Sequence, residues 1–475
     1  MPLVEPAAPR AAGGAAVYQP PVRGAVVGWG GGPEVPVALL RPGTVDELAA
    51  AVSALSARRR VSGRPGAAGA IARGQGRSYG DAAQRQGGLV LDMTGLRNFE
   101  LDASAGSVTV EAGVTLGRLL TALAPDGWTL PVVPGTQHVT VGGAIASDIH
   151  GKNHGSAGTF GRHVSAFGLL TAAGDLATVS RESHPDLFAA TLGGMGLTGA
   201  IAWATIALTP LRTAWLSVDV DRVQGLDDAL ALLLTPGGSH RVAWLDLLGP
   251  GLARGIVTRA EPLPEPPPGR PPAALTVAAR LTVPPRFPGR LLRPGLVRAH
   301  NEYRFRRSGK REVGRLEAFG SHMFPLDVLR AWPRLYGRLG FVQYQLVVPR
   351  GQEPALEAVI ERLRRSPVPC FLAVLKDFGP SNGSPLSFPI AGWTLALDLP
   401  RAAPGLEVLL RGFDELVAQA GGRVYLAKDA LLAPDALAAM YPRLDEWRAI
   451  RDRVDPDRIW CSDLAVRTGL IGAAG

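Results

Sequence analysis

At 475 residues, 46% hydrophobic and 19% charged, with 59 Gly and 41 Pro, the chain reads as globular and turn-rich, which excludes a disordered or fibrous protein. That length exceeds what one hydrophobic core usually serves, so two domains are expected. The net charge is +9, yet lysine is scarce: only Lys152, Lys310, Lys376 and Lys428 occur, which makes each a candidate for a role that needs a compact ammonium.

Two cysteines, Cys370 and Cys461, are too far apart for a disulfide framework or a metal-ligand pattern and read as small buried hydrophobes. The N-terminus lacks the apolar core of a signal peptide, and no segment approaches about 18 uninterrupted apolar residues. Neither secretion nor a membrane span is expected, and the protein is read as cytoplasmic.

Residues 1–24 are rich in Ala, Pro and Gly without periodicity and read as a mobile arm, with order from about Val37. Thr44 and Glu47 form a capping box ahead of an amphipathic helix over Val45–Leu55. Short strands follow in AIAR, GLVLDM and SVTVEAGV, with a helix over Thr115–Leu123. DLFAATLG reads as helix and AIAWATIAL as a strand that ends before Pro210. From Leu211 the β-like segments lengthen, in WLSVDVD, FVQYQLVVP and GWTLALDLP, and near Gly421 the chain returns to loops and helices. The fold class is therefore α+β with two domains.

Two stretches stand apart. Glu261–Pro272 holds seven prolines in twelve residues and reads as a flexible excursion without regular structure. Arg286–Arg315 carries ten basic residues against two acids, with Phe287, Leu291, Leu292 and Tyr303 interleaved. That mixture suits an anionic membrane surface or a lipid-linked phosphate, and equally a solvated basic loop. It lacks a recognition helix or an aromatic base platform, so no nucleic-acid partner is expected.

GMGLTG (Gly194, Gly196, Gly199) matches GxGxxG, but it follows a helical segment and precedes a strand, the reverse of a dinucleotide fingerprint. GQGRSYG, from Gly74 to Gly80, has no following helix; its backbone N–H groups, with Arg77 and Ser78, can instead form an anion nest. A second glycine-rich stretch packs seven glycines into Gly135–Gly161, allowing close approach to a flat or extended group. Either loop alone is also compatible with ordinary tight turns.

Taken in order, ARGQGRSYGD, PGT…VTVGGAIASDIHGKNHGSAGTFG, GGMGLTG, FVQYQLVVP, SPLSFPIAGW, YLAKD and MYPRLDEW resemble the decaprenylphosphoryl-β-D-ribose 2-oxidase family of vanillyl-alcohol-oxidase-like FAD enzymes, from about residue 37 to 467. The resemblance implies an FAD domain built from both chain ends, over 25–210 and 422–475, and an antiparallel-sheet substrate domain over 211–421. It implies that Arg73, Gly74, Gln75, Gly76, Arg77, Ser78, Tyr79, Gly80 and Asp81 wrap the pyrophosphate. Gly135, Thr136, Thr140, Gly142, Gly143, His150, Asn153 and Ile201 would line FAD, and Tyr425 would close the site. Tyr79, Trp244, Gln343, Gln345, Lys376 and Thr394 are the expected substrate contacts.

Oxidising a secondary alcohol needs a hydride acceptor, a group that takes the hydroxyl proton, and positive charge beside the flavin. Lys428 in YLAKD is the expected cation, and His150 the expected acid/base because imidazole titrates near neutrality. His150 and His154 are spaced as HxxxH, but GKN between them lacks a catalytic glutamate, so no metal is expected. ARGQGRSYGD contains no histidine, which points to FAD held without a covalent bond. The chain departs from the mycobacterial members of the family at Ala396, where they carry a cysteine, and at Thr394, where they carry an asparagine; alanine cannot form the covalent adduct with activated nitroaromatic inhibitors.

The expected reaction is oxidation of the ribose 2-hydroxyl of a polyprenylphosphoryl-β-D-ribose to the 2-keto sugar. An NAD-dependent short-chain reductase partner would complete epimerisation to the arabinose form, and the enzyme would touch the membrane peripherally. Oxidation of another sugar, alditol or aldonolactone is the alternative within the same chemistry, and a non-catalytic lipid-phosphate-binding flavoprotein the alternative outside it.

Overall fold

The structure is a computed structural model that describes residues 20–62, 69–289 and 292–472. Thr44 Oγ1 accepts the Glu47 N–H at 3.1 Å and Glu47 reaches back to the Gly43 N–H at 2.8 Å, starting a helix over Val45–Ser62 that outlasts the expected Leu55. Leu116, Leu119, Leu120 and Leu123 are buried on one stripe of the Leu116–Leu123 helix, which Thr115 caps.

Residues 1–19 of the expected arm lie outside the described residues. Val22–Val26 is already an edge strand, paired antiparallel with Val35–Leu40, so regular structure begins before Val37. Backbone pairing to a neighbouring strand, which composition does not report, brings this segment in. The four-stranded sheet continues through Leu89–Asp92 to Ala70–Arg73. At its edge the Ala70 N–H donates to the Ile459 carbonyl at 2.7 Å and the Cys461 N–H donates to the Ala70 carbonyl at 2.9 Å, so the two ends of the chain meet in one layer. A five-stranded sheet lies next, with the almost fully buried Ala200–Ala207 strand at its centre.

The third sheet has eight strands, in the order Arg311–Ala318, Trp215–Val223, Arg254–Pro262, His240–Asp246, Leu372–Phe378, Gly392–Pro400, Phe341–Pro349 and Arg423–Val424. Neighbours are antiparallel, so side chains two apart share a face. One row crosses the sheet from Gln345 through Ala396, Val374 and Trp244 to Ile256.

Contrary to expectation, Glu261 and Pro262 end the Arg254–Pro262 strand, paired with Ser217 and Leu216, while residues 263–280 carry neither helix nor strand, in keeping with their prolines. Their far end is pinned rather than free: Leu275 is buried, and the Gln137 side chain bonds the Val277 backbone in both directions, at 2.6 and 3.1 Å. No helix among the described residues is long and apolar enough to cross a membrane.

Candidate active site

A cavity of about 530 Å³ runs between the glycine loops and the face of the eight-stranded sheet. One end is lined by Gly74, Gln75, Gly76, Arg77, Ser78 and Tyr79, with Gly135, Thr136, Thr140, Gly142, Gly143 and Ile201 opposite. The other receives Trp244, Gln343, Gln345 and Lys376 from the sheet, and His150, Tyr425 and Lys428 close the middle.

Gly76 lies at φ +60°, which favours glycine, and a Cβ there would meet Arg73 at 2.2 Å. A Cβ on Gly80 would strike the Asp429 carbonyl oxygen at 2.0 Å, because the glycine loop packs backbone to backbone against YLAKD. The Tyr79 N–H donates to the Ala427 carbonyl at 3.0 Å, and the Lys428 ammonium sits 3.8 Å over the Tyr79 ring. Two motifs separated by more than three hundred residues thus form one wall.

Five of the expected contacts lie outside the cavity lining. Arg73 donates to the carbonyls of Val27 and Ala83 at 2.7 and 3.0 Å and so braces the loop from behind. Gly80 is consumed by the approach to Asp429, and Asp81 is held by Arg467 at 2.7 and 2.8 Å. Asn153 donates to the Pro131 carbonyl at 2.9 Å and lines a second cavity of about 460 Å³. Thr394, 1% exposed, lies one step behind Gln345.

That step orients an amide. The Thr394 hydroxyl donates to the Leu346 carbonyl at 2.8 Å, so its oxygen accepts from Gln345 Nε2 at 3.0 Å and sets the amide orientation. The same Nε2 lies 3.1 Å from His150 Nε2, which must accept. Lys376 Nζ lies 3.2 Å from His150 Nδ1, and the imidazole also has the Gly151 carbonyl as a hydrogen-bond partner. Burial, with Lys428 and Lys152 nearby, lowers the Lys376 pKa to about 7.

His150 does not titrate near neutrality here: burial, then Lys376, His154 and Lys428, push its pKa well below the usual imidazole value. It is a hydrogen-bonding group beside Gln345 and Lys376. His154 is structural, its Nδ1 accepting the Gly379 N–H at 3.0 Å and its ring packed on Phe378. Among the described residues no group of three or more His, Cys, Asp and Glu is placed to hold a metal ion.

Burial also lowers the Lys428 pKa to about 7, with Asp398 opposing the shift. Asp398 is a functional candidate that the sequence reading missed. It is 1% exposed, accepts from Gln343 Nε2 at 2.5 Å, leaves its Oδ2 without a partner, and has its pKa raised by burial to about 7. The signal was available: Thr394, Ala396 and Asp398 alternate on one strand face, and aspartate is unusual in a buried strand. Of the two lysines, Lys428 has a carboxylate nearby and Lys376 has none among the described residues, so Lys428 is the better cation and Lys376 the better proton acceptor.

Two further features suit an extended, phosphate-bearing group. Arg77 Nε is buried in the wall without an acceptor while its guanidinium stacks 3.7 Å from the Trp29 ring centroid, and Gly135 has open space where a Cβ would project. The Asp327 carboxylate accepts from Thr136 Oγ1 at 2.8 Å and the Gln137 N–H at 2.8 Å, latching the 325–327 segment over this end.

Comparison with known proteins agrees with this geometry. Residues 36–180 match the FAD binding domain family and residues 401–468 the D-arabinono-1,4-lactone oxidase family. The chain is 42% identical over 420 residues to decaprenylphosphoryl-beta-D-ribose oxidase of Mycolicibacterium smegmatis, covering 86% of this chain and 90% of that protein. It is 26% identical over 447 residues to L-gulono-1,4-lactone dehydrogenase of Mycobacterium tuberculosis, covering 91% and 96%. A shorter match, 34% over 207 residues, joins 39% of the chain to 36% of cytokinin dehydrogenase 4 of Oryza sativa. The chain is therefore an FAD-dependent oxidoreductase of two-domain α+β architecture, and it belongs to the decaprenylphosphoryl-β-D-ribose oxidase family.

Proposed function

We propose that the chain oxidises the ribose 2-hydroxyl of a polyprenylphosphoryl-β-D-ribose to the 2-keto sugar, the first half of an epimerisation to the arabinose form. The observation that carries this reading is the convergence of Lys376 held by His150, of Lys428 over Tyr79, and of the Gln343 and Gln345 amides in one cavity. FAD, when bound, supplies the two-electron acceptor for the hydride from C2. The Gln343 and Gln345 amides orient the sugar hydroxyls, the His150–Lys376 pair takes the proton from the 2-hydroxyl, and Lys428 provides positive charge where negative charge develops. Arg77, Gly74 and Gly76 belong to the cofactor cradle, with Gly135, Thr140, Gly142 and Gly143 facing them.

In this reading FAD is held without a covalent bond. Acid precipitation of the holoprotein is expected to release all of the flavin to the supernatant; yellow colour remaining in the pellet would refute non-covalent binding. An NAD-dependent short-chain reductase would return the 2-keto sugar to the arabinose configuration. Leu296, Tyr303 and Val313 are exposed among the arginines of 293–315, and this mixed face is the proposed peripheral contact with anionic lipid.

Anaerobic titration tests the reaction. Polyprenylphosphoryl ribose is expected to bleach the oxidised-flavin band, and its absence of effect would overturn the reading. A second reading, oxidation of a soluble aldonolactone or alditol, is favoured by the family match over residues 401–468. Bleaching by those compounds and not by the lipid-linked ribose would establish it.

A further inference from the structure

We infer that Arg304, stacked on Trp244 and backed by Lys152, forms a phosphoryl-binding subsite at the end of the cavity remote from His150. The inference rests on the proposed substrate class and assigns the part of the protein that would recognise its phosphate.

Arg304 comes from the Pro294–Arg307 helix, whose backbone is anchored before it reaches the cavity. Asn301 donates to Asp246 at 2.8 Å, Glu302 pairs with Arg254 at 2.6 Å, and the Phe305 ring is buried beneath Arg254. The Arg304 guanidinium is thereby presented from a fixed position, 4.4 Å from the centroid of the Trp244 ring. Stacking of this kind holds the planar fork while leaving its N–H edges free to pair with an oxyanion.

Arg304 is an exposed residue, and its edges are open to the cavity and solvent. Among the described residues no side-chain hydrogen bond or ion pair satisfies Arg304, whereas the nearby Arg315 is held by Glu312 and Glu317. Glu317 is itself engaged by Arg315 and by His322 at 2.9 Å. Lys152 adds a second cation to the same wall; its ammonium donates to the His322 carbonyl, and it lies near enough to Arg304 for the two charges to repel. Glu317 offsets part of the charge on Lys152, and an anion bound beside Arg304 would relieve the remaining repulsion between the two cations.

From Gln345, which contacts His150, the row through Ala396 and Val374 reaches Trp244 in three strand steps, about 14 Å. The anomeric phosphoryl group of a pentose lies only a few ångströms from its 2-hydroxyl, so the Gln345 amide and the Arg304 guanidinium would have to reach towards each other along this row. The exposed Leu296 and Tyr303 lie on the same helix as Arg304, so a lipid chain leaving the phosphate would meet apolar side chains.

The test uses the FAD-loaded enzyme and isothermal titration with farnesyl phosphate, farnesol and inorganic phosphate. Wild type is expected to bind farnesyl phosphate well above farnesol, and Arg304→Gln to weaken that binding about 10- to 100-fold, with Arg304→Lys recovering part of it. With polyprenylphosphoryl ribose, the Arg304→Gln loss should fall on KM rather than kcat. Unchanged farnesyl phosphate binding in Arg304→Gln, or none in wild type, would overturn the subsite. Equal affinity for inorganic phosphate would keep it but assign it to free phosphate. Arg304-dependent binding without flavin bleaching by polyprenylphosphoryl ribose would preserve the subsite and remove the proposed reaction instead.

Discussion

Lys428→Met is expected to slow anaerobic flavin reduction about 10²- to 10³-fold, the usual effect of deleting a preorganised charge from a reacting centre, while leaving the apo-protein more stable at pH 7. The two effects have one cause. Burial lowers the Lys428 pKa from its ordinary 10.5 to about 7, so the folded state binds fewer protons than the unfolded state between those values. The stability cost of housing the ammonium is nearly complete at pH 7 and disappears as pH rises towards 10.5. A methionine of similar length removes that cost, and the variant should gain about 1–3 kcal/mol at pH 7, allowing for the partial exposure of the ammonium and its contact with Tyr79. Apo-protein melting curves at pH 7 and pH 9.5 check this. A variant that melts below wild type at pH 7, or reduces flavin within threefold of it, would show that Lys428 is not the buried catalytic cation.

Arg467→Ala is expected to be the most damaging single change away from the reacting centre. Arg467 donates to both oxygens of Asp81 at 2.7 and 2.8 Å, to Asp429 at 2.8 Å and to the Leu432 carbonyl at 2.9 Å. Asp81 ends the first glycine loop and Asp429 follows Lys428, so one guanidinium ties together the two loops that form the cavity wall. Removing it strands two carboxylates, one of them only 4% exposed, at a cost of about 3 kcal/mol. The melting temperature should fall by several degrees and FAD should be lost more readily on gel filtration. Arg467→Lys should recover less than half of the stability, since a point charge cannot reproduce the fork. Full FAD retention and an unchanged melting temperature in Arg467→Ala would mean that the loops are held by their backbone contacts alone.

The clamp also explains where residue-by-residue expectation stops. Asp81 and Gly80 sit inside a motif whose other members line the cavity, yet their side of the loop faces Arg467 and Asp429. Loop motifs specify conformation, and conformation alternates which residues face a guest and which face the scaffold. Thr394 is a second case: it was expected at the sugar, but its pairing opposite Val347 and Lys376 places its hydroxyl against Gln345, where it orients an amide instead. His150 is a third. Its place at the reacting centre was legible, while its protonation was not, because the burial and the Lys376 and Lys428 side chains that lower its pKa come from remote parts of the chain.

What the sequence determined by itself is local and periodic. The capping box at Thr44, the leucine stripe over 116–123, the alternation in FVQYQLVVP and the glycine spacing in GQGRSYG each follow from the conformational preferences of a few adjacent residues. What only the tertiary structure decided is partnership: that Val22–Val26 is a strand, that Ile459 and Cys461 bind Ala70, that Asp398 stands near Lys428, and that Arg304 reaches Trp244 without a counter-charge. The physical reason is that hydrogen bonding, desolvation and charge coupling depend on distance in space, and residues hundreds of positions apart come together only once the sheets have packed.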